Sequence, residues 1–131
     1  MRQKIALSLL FAIITIFVSP AQVIGNWEKL GERKVQFKSE KDVIKCSANK
    51  SYTKIKIKVG ESPIQFDEVV VKYENGNTQD IKLRSEIPAG GESRVIDLAG
   101  NKRIIKEITF KYRSKKGHKG GKSTVQVWGR R

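Results

Sequence analysis

Lysine and aliphatic side chains alternate at every position of the stretch Lys54-Ile55-Lys56-Ile57-Lys58-Val59. Successive side chains of a β-strand point to opposite faces, so this pattern predicts a strand with one buried and one wet face. The lysines would line the wet face. The stretch Ile108-Thr109-Phe110-Lys111-Tyr112-Arg113 alternates in the same way, and the β-branched and aromatic residues of both stretches favour strands.

A β-hairpin is predicted between these two strands. Val69–Tyr73 and Thr78–Arg84 flank the segment Glu74-Asn75-Gly76-Asn77. Asn-Gly tolerates the positive φ angles of a type I′ turn, so the segment predicts a turn of that type. The continuous Val69-Val70-Val71 suits a strand that is covered on both faces or lies at a bulge.

Short strands separated by turns continue along the chain. Five more are indicated, at Trp27–Leu30, Lys34–Lys38, Asp42–Ser47, Arg94–Leu98 and Thr124–Trp128. Helix-period segments with caps are absent. This spacing of roughly 8–12 residues predicts an all-β fold, a small single-domain antiparallel β-sandwich of jelly-roll-like type or a partly open barrel.

The N-terminus has the pattern of a cleavable signal peptide. Two cations precede an uncharged, mostly apolar run from Ile5 to Val18. A membrane-spanning helix needs about 20 apolar residues, whereas the core of a signal peptide needs only about 7–15. We therefore expect a secreted or periplasmic protein. An uncleaved membrane anchor is the alternative.

The small residues Ser19 and Ala21 favour cleavage after residue 21, and a cut after residue 25 also fits. We expect residues 1–21 to be removed and residues 22–131 to form one domain without a membrane span. Cys46 is the only cysteine, so no internal disulfide is available. It is interpreted as a small strand residue facing the core, with an intermolecular disulfide as the alternative.

The positive charge is concentrated near the C-terminus. The whole chain carries 27 basic and 13 acidic residues. Residues 108–131 hold eight of the cations and no acid. Because a cluster of one sign attracts polyanions, we expect partners among anionic envelope polymers, lipid head groups or extracellular nucleic acid. A basic glycine-rich loop that only solubilises the domain, at residues 114–122, is the alternative interpretation.

One part of the sequence resembles a known family. The stretch Ser93-Arg94-Val95-Ile96-Asp97-Leu98-Ala99-Gly100-Asn101-Lys102-Arg103-Ile104-Ile105-Lys106-Glu107-Ile108-Thr109-Phe110-Lys111-Tyr112 is similar to a segment of the YaaI-like family of small exported bacterial proteins, as is Trp27-Glu28-Lys29-Leu30-Gly31. The resemblance implies an envelope or secreted location and a compact β-domain of uncharacterised activity. Within this stretch, Asp97 and Arg103 flank a Gly-Asn turn, which places them to pair across it.

No catalytic or metal-ligating motif stands out, and no cofactor is expected. The single histidine, His118, has no cysteine or paired carboxylate near it in the sequence, which argues against a zinc site. The glycines and lysines of residues 117–122 lack the spacing of a phosphate-binding loop. The carboxylates are scattered along the chain, so a small hydrolase is kept only as a third interpretation.

The leading hypothesis is a non-enzymatic β-domain that binds an anionic polymer or surface through a basic patch. The residues expected to bind are all cationic: Lys54, Lys56, Lys58, Lys111, Arg113, Lys115, Lys116, Lys119 and Lys122. The second hypothesis is an envelope structural or protein-interaction domain. If the terminal strands pair, Trp27 and Trp128 would form a platform for sugars or bases; otherwise at least one of them fills the core.

Overall fold

Ten β-strands account for the regular structure of the residues that the structure describes. The computed structural model describes residues 23–24, 26–37, 40–46, 49–83, 85–114 and 121–131. The strands are β1 (Val23–Ile24), β2 (Trp27–Gln36), β3 (Lys41–Lys45), β4 (Lys54–Val59), β5 (Ile64–Tyr73), β6 (Thr78–Ile81), β7 (Glu86–Ile87), β8 (Ile96–Asp97), β9 (Ile105–Ser114) and β10 (Lys122–Arg130). The predictions for residues 1–21, for either cleavage site and for the loop residues 115–120 lie outside the described residues.

The strands form two antiparallel sheets. Sheet one has the order β1-β2-β10-β4-β8, and sheet two has the order β3-β9-β5-β6 with β7 also paired to β5. Neither sheet closes on itself, so the all-β sandwich is confirmed and the barrel alternative is set aside. In the described part of the chain, no helix is long and apolar enough to cross a membrane.

Alternation along the strands fills the space between the two sheets. β4 buries Ile55, Ile57 and Val59 and turns its lysines outward, as predicted. With the exception of Trp128, the buried apolar side chains of the described residues form one cluster. Since each large apolar side chain stabilises the fold by about 1.5–3 kcal/mol when fully buried, packing can hold the sandwich together without a disulfide.

The strand β2 replaces two predicted strands, Trp27–Leu30 and Lys34–Lys38. Its ladder with β10 runs from Glu28 to Gln36, with a register shift at Val127/Trp128 that leaves Leu30 as the extra residue. This bulge keeps Leu30 in the core, so the sequence around Gly31 does not end the strand. Pairing with a distant strand decided the length of β2.

The hairpin between β5 and β6 is confirmed, but its turn is not of type I′. Gly76 has a φ of 93°, whereas Asn75 is not among the residues of positive φ. The Asn75 side-chain oxygen instead accepts a hydrogen bond of 2.9 Å from the backbone N–H of Asn77. This local hydrogen bond stabilises a turn in which Asn75 keeps a negative φ, unlike the first central residue of a type I′ turn.

The pairing of Asp97 with Arg103 is not the one found. Asp97 is the register partner of Lys54, and its carboxylate lies 2.5 Å from Lys54 Nζ. The Arg103 guanidinium lies 3.7 Å from the centre of the Tyr73 ring and donates to the carbonyl of Ala99 at 2.8 Å. Arg103 thereby holds the turn that precedes it against the hairpin.

Gly31 sets the distance between the edges of the two sheets. A Cβ atom at this position would lie 2.7 Å from Ile44 Cγ2 and 2.9 Å from the carbonyl oxygen of Lys45. The second contact is with the backbone of β3, which cannot rotate away as a side chain can. Glycine therefore permits β2 and β3 to approach this closely.

We predict that Gly31→Ala lowers the free energy of unfolding by about 1–3 kcal/mol, because the added methyl group overpacks this contact. Denaturant-induced unfolding measures the change. Gly121→Ala is the matched control, since a Cβ there meets no atom within 4 Å. Equal stability of the two variants would contradict the close approach.

Candidate functional site

The three lysines of β4 lie on the outer face of sheet one. Lys54, Lys56 and Lys58 alternate with the core residues of the strand and are each half-buried. On the neighbouring strand β10, their register partners are Arg130, Trp128 and Gln126. These partners therefore point to the same outer face.

Pairing of the terminal strands brings the two tryptophans onto this face. Trp128 is opposite Lys29 of β2, and Trp27 lies two residues before Lys29 on the same side of the strand. The bulge at Leu30 makes this possible. Without the extra residue, Trp27 and Lys29 would point to the core face; with it, they point to the same outer face as Glu32. We call this surface the cation–indole face; its residues are Trp27, Lys29, Glu32, Lys34, Gln36, Lys54, Lys56, Lys58, Glu92, Asp97, Lys122, Thr124, Gln126, Trp128 and Arg130.

Cations cover both indole rings. Lys58 Nζ lies 4.6 Å from the centre of the Trp128 ring, and Lys56 Nζ lies 4.4 Å from that of Trp27. The guanidinium of Arg130 is 5.2 Å from the Trp27 ring. The electron-rich faces of the rings attract these cations. Trp128 is only 5% exposed, so it is buried beneath the face rather than in the core between the sheets.

A chain of hydrogen bonds fixes the middle of the cation–indole face. Trp128 Nε1 donates to Gln126 at 3.0 Å, Gln126 Nε2 donates to Glu32 at 3.2 Å, and Lys29 Nζ donates to Glu32 at 2.7 Å. The hydrogen bond from Lys29 is the main cause that lowers the pKa of Glu32 below its ordinary value. These side chains are therefore held in a defined arrangement.

Two carboxylates from the opposite edge pair with β4. Lys54 binds Asp97, and Lys56 Nζ lies 3.2 Å from Glu92 Oε1. The hydrogen bond and charge of Lys54 lower the pKa of Asp97. Part of the positive charge of β4 is therefore compensated within the protein.

The outer faces of the two sheets nevertheless differ in charge. Among the described residues, the cation–indole face has seven cations and three carboxylates. The outward side chains of sheet two are six cations and five carboxylates, when the bulge residues Asp67 and Lys106 are both counted. These eleven are Lys41, Lys45, Asp67, Glu68, Lys72, Asp80, Glu86, Lys106, Glu107, Lys111 and Arg113. The excess of positive charge is therefore four on the outer face of sheet one and one on that of sheet two.

A shallow pocket of about 190 Å³ opens on the cation–indole face. It lies where β4 and β10 meet the turn at Gly90. The residues that line it are Lys58, Val59, Gly60, Gly90, Glu92, Thr124 and Gln126. The pocket thus places an ammonium, a carboxylate, a hydroxyl and an amide around one space.

The predicted binding residues do not form one patch. Lys54, Lys56, Lys58 and Lys122 lie on the cation–indole face, but Lys111 and Arg113 lie on the outer face of sheet two. There Lys111 is 3.6 Å from Glu68, and Arg113 is 3.1 Å from Asp67. The two strands β9 and β10 are neighbours in sequence but belong to different sheets. Lys115, Lys116 and Lys119 lie outside the described residues.

Several residues of the face were missed by the sequence reasoning. If the pairing of β10 with β4 had been known, alternation would have predicted which β10 residues share a face with the β4 lysines. These residues are Thr124, Gln126, Trp128 and Arg130. Glu92 reaches the face from a loop through a single bridge to Lys58, and the sequence gives no signal for it.

A second cationic cluster lies apart from this face. Lys50, Lys102 and Arg131 surround an open pocket of about 290 Å³. Glu28 accepts from Lys50 at 3.2 Å and lies 3.4 Å from Arg131. The hydrogen bond from Lys50 is the main cause that lowers the pKa of Glu28. This carboxylate links the start of β2 to the C-terminal residue.

Cys46 is partly buried against the core. Burial raises the pKa of the Cys46 thiol to about 12, with a further contribution from Glu107, so the thiol is a poor nucleophile at neutral pH. Across the described ranges, no three His, Cys, Asp or Glu side chains lie together as metal ligands. His118 lies outside those ranges.

A family model described as "Domain of unknown function (DUF2541)" matches residues 5–129. The chain belongs to this family. The match runs from the N-terminal apolar segment to the last residues of β10 and includes most of the cation–indole face. Because the family's description assigns no activity, the roles of these residues rest on their geometry here. A comparison with curated proteins finds no match.

Three solved structures show distant likenesses. AlgX of Pseudomonas aeruginosa is 10% identical with a TM-score of 0.48, over 76% of this chain and 26% of that chain. A structure from the Gx strain of infectious bursal disease virus is 11% identical with a TM-score of 0.41, over 90% of this chain and 37% of that chain. The SPBc2 prophage-derived protein YomS is 17% identical with a TM-score of 0.34, over 82% of this chain and 96% of that chain. At TM-scores below 0.5, none of these likenesses bears on the function of this protein.

The lowered pKa of Glu32 predicts a pH dependence of stability. A carboxyl group whose pKa is lower in the folded state stabilises the fold above its ordinary value of 4.5, and this stabilisation is lost as the pH falls through the lowered pKa. Glu32→Gln should therefore lose less unfolding free energy between pH 7 and pH 3 than the unmodified protein.

Denaturation at both pH values measures this difference. Glu74→Gln, at the exposed turn between β5 and β6, is a control that removes the same charge. If Glu32→Gln and the unmodified protein lose equal stability on acidification, the Lys29–Glu32 hydrogen bond does not stabilise the fold.

Proposed function

We propose that this protein binds an anionic polymer or surface through the cation–indole face and catalyses no reaction. The observation that carries the proposal is the difference between the outer faces, seven cations to three carboxylates on sheet one against six to five on sheet two. An excess of one sign on one face attracts polyanions and releases their counterions on binding.

The fixed geometry of the face supports this proposal. Five of its seven cations are held over indole rings or beside carboxylates, so they lose less side-chain freedom when a ligand binds than free surface lysines would. These five are Lys29, Lys54, Lys56, Lys58 and Arg130. Three adjacent strands, β2, β10 and β4, provide a continuous surface, which suits an extended polymer better than a small molecule.

Replacing the β4 lysines tests the proposal. We expect the triple variant Lys54→Gln, Lys56→Gln, Lys58→Gln to bind polyphosphate more weakly than the unmodified protein. The slope of log Kd plotted against log salt concentration should also be smaller by about two, because three ionic contacts are lost. Binding is measured by titration at several salt concentrations.

The matched control removes the same charge from the other sheet. The variant Lys41→Gln, Lys45→Gln, Lys72→Gln should retain most of the affinity and the salt slope. If both triple variants lose binding equally, or if the unmodified protein shows no salt-dependent binding, the cation–indole face is not the binding site. The protein-interaction interpretation would then replace this one.

The basic loop is proposed to contribute cations to the same polymer. The predicted loop bounds of 114–122 are too wide, because Ser114 ends β9 and Lys122 begins β10 on the cation–indole face. Lys122 thus joins the remaining loop residues to this face in sequence. We expect replacement of Lys115, Lys116 and Lys119 by serine to lower the salt slope for polyphosphate. A loss of solubility with unchanged binding would show that the loop only solubilises the domain.

Export to the periplasm or the exterior, in a YaaI-like protein, is part of the same proposal. It is supported by the two N-terminal cations and the short apolar run from Ile5 to Val18. We expect the protein recovered from an extracytoplasmic fraction to begin at Gln22. Recovery of the uncut chain from the cytoplasm alone would contradict export.

A further inference from the structure

The pocket beside Lys58 contains groups that a purely anionic ligand does not use. Glu92 accepts from Lys56 with one carboxylate oxygen and keeps further acceptor capacity, and its negative charge repels phosphate and sulfate. The Gln126 amide already bonds to Glu32 and Trp128 and keeps one N–H. The Thr124 hydroxyl bonds to Glu61 and keeps a lone pair. Hydroxyl groups of a ligand would use this remaining capacity, since a hydroxyl donates to a carboxylate and accepts from an amide.

We propose that the polymer bound by the cation–indole face is an acidic polysaccharide, with one hydroxyl-bearing sugar unit in the pocket beside Lys58 and its acid groups against the neighbouring lysines. This inference rests on the proposed function and adds the class of the ligand. A polymer of this class carries both kinds of group that the face recognises, anions for the excess cations and hydroxyls for the pocket.

The covering of the indoles argues against nucleic acid. Single-stranded nucleic acid binds by stacking its bases on exposed aromatic rings. Here Lys58 lies 4.6 Å from the centre of the Trp128 ring, and that tryptophan is 5% exposed. Lys56 and Arg130 lie over Trp27. The rings hold the cations in position and offer little surface to a base.

The shortage of exposed apolar side chains argues against a lipid surface. Charge alone attracts a protein to anionic lipids by about 1 kcal/mol per cation, and amphipathic membrane-binding segments add the burial of large apolar side chains between the lipids. Val95, at 47% exposure, is the one large apolar side chain that is exposed in the described part of the chain. The cation–indole face therefore has charge for the lipid head groups but no side chains to insert.

The positions of the cations fit an extended chain. The β4 lysines occur at every second residue, which spaces them by about 6–7 Å along the strand. The pocket lies at the Lys58 end of this row. A polysaccharide running along β4 would meet a cation at regular intervals and fill the pocket with one of its units.

Two single substitutions test the inference and replace no cation. Because Glu92→Gln also removes the carboxylate that pairs with Lys56, the affinities for two polyanions are compared as a ratio. The protein is titrated with polygalacturonate, an acidic polysaccharide, and with polyphosphate, a polyanion without hydroxyl groups along its chain, at equal salt. We expect Thr124→Val and Glu92→Gln each to lower the ratio of affinities, polygalacturonate over polyphosphate, by about threefold to tenfold, as loss of one or two hydrogen bonds predicts. Thr109→Val, at an outward threonine of sheet two, should leave the ratio unchanged.

The outcomes separate this inference from the proposed function. Salt-dependent binding of both polymers with an unchanged ratio in both pocket variants overturns the polysaccharide assignment and leaves polyanion binding intact. Preferred binding of oligothymidine, or of phosphatidylglycerol vesicles, over polygalacturonate also overturns it. Absence of salt-dependent binding to every probe overturns both proposals.

Discussion

The ladders that β10 forms with β2 and β4 are the interaction on which the rest of this structure depends. β10 is the central strand of sheet one, and its partners come from the beginning and the middle of the described chain. Its alternation places Val125 and Val127 in the core and Gln126, Trp128 and Arg130 on the outer face. The same hydrogen bonds therefore hold sheet one together and assemble the cation–indole face. A change of register by one residue would exchange the core side chains of β10 with its outer side chains.

Neighbouring carboxylates and indole rings hold most cations of the cation–indole face in position. Two of the β4 lysines pair with carboxylates, and two lie over indole rings. Exposed ion pairs contribute little to stability, about 0–1 kcal/mol each. Their larger effect is to orient the cations, so that the remaining positive excess is presented at fixed positions. The carboxylates also provide acceptors that a uniformly basic surface would lack.

Much of the fold could be predicted from local pattern, because alternation reports directly which side of a strand is buried. The bounds of β4 agree with the prediction, and β9 and β10 extend theirs by a few residues. Predictions failed where non-local pairing decides the structure. β2 is one strand because β10 pairs along it, and Arg94–Leu98 is reduced to the two residues of β8 because only Ile96 and Asp97 pair with β4.

The sequence by itself determined the all-β class, the alternation that separates core from surface, and the lysines on the wet face of β4. It did not determine which wet faces coincide. Lys111 and Lys122 are near each other in sequence, yet the chain passes from sheet two to sheet one between them, while Trp27 and Trp128 lie at opposite ends of the described strands and share one face. Alternation gives the direction of a side chain within its own strand, and only the pairing of distant strands decides which side chains become neighbours.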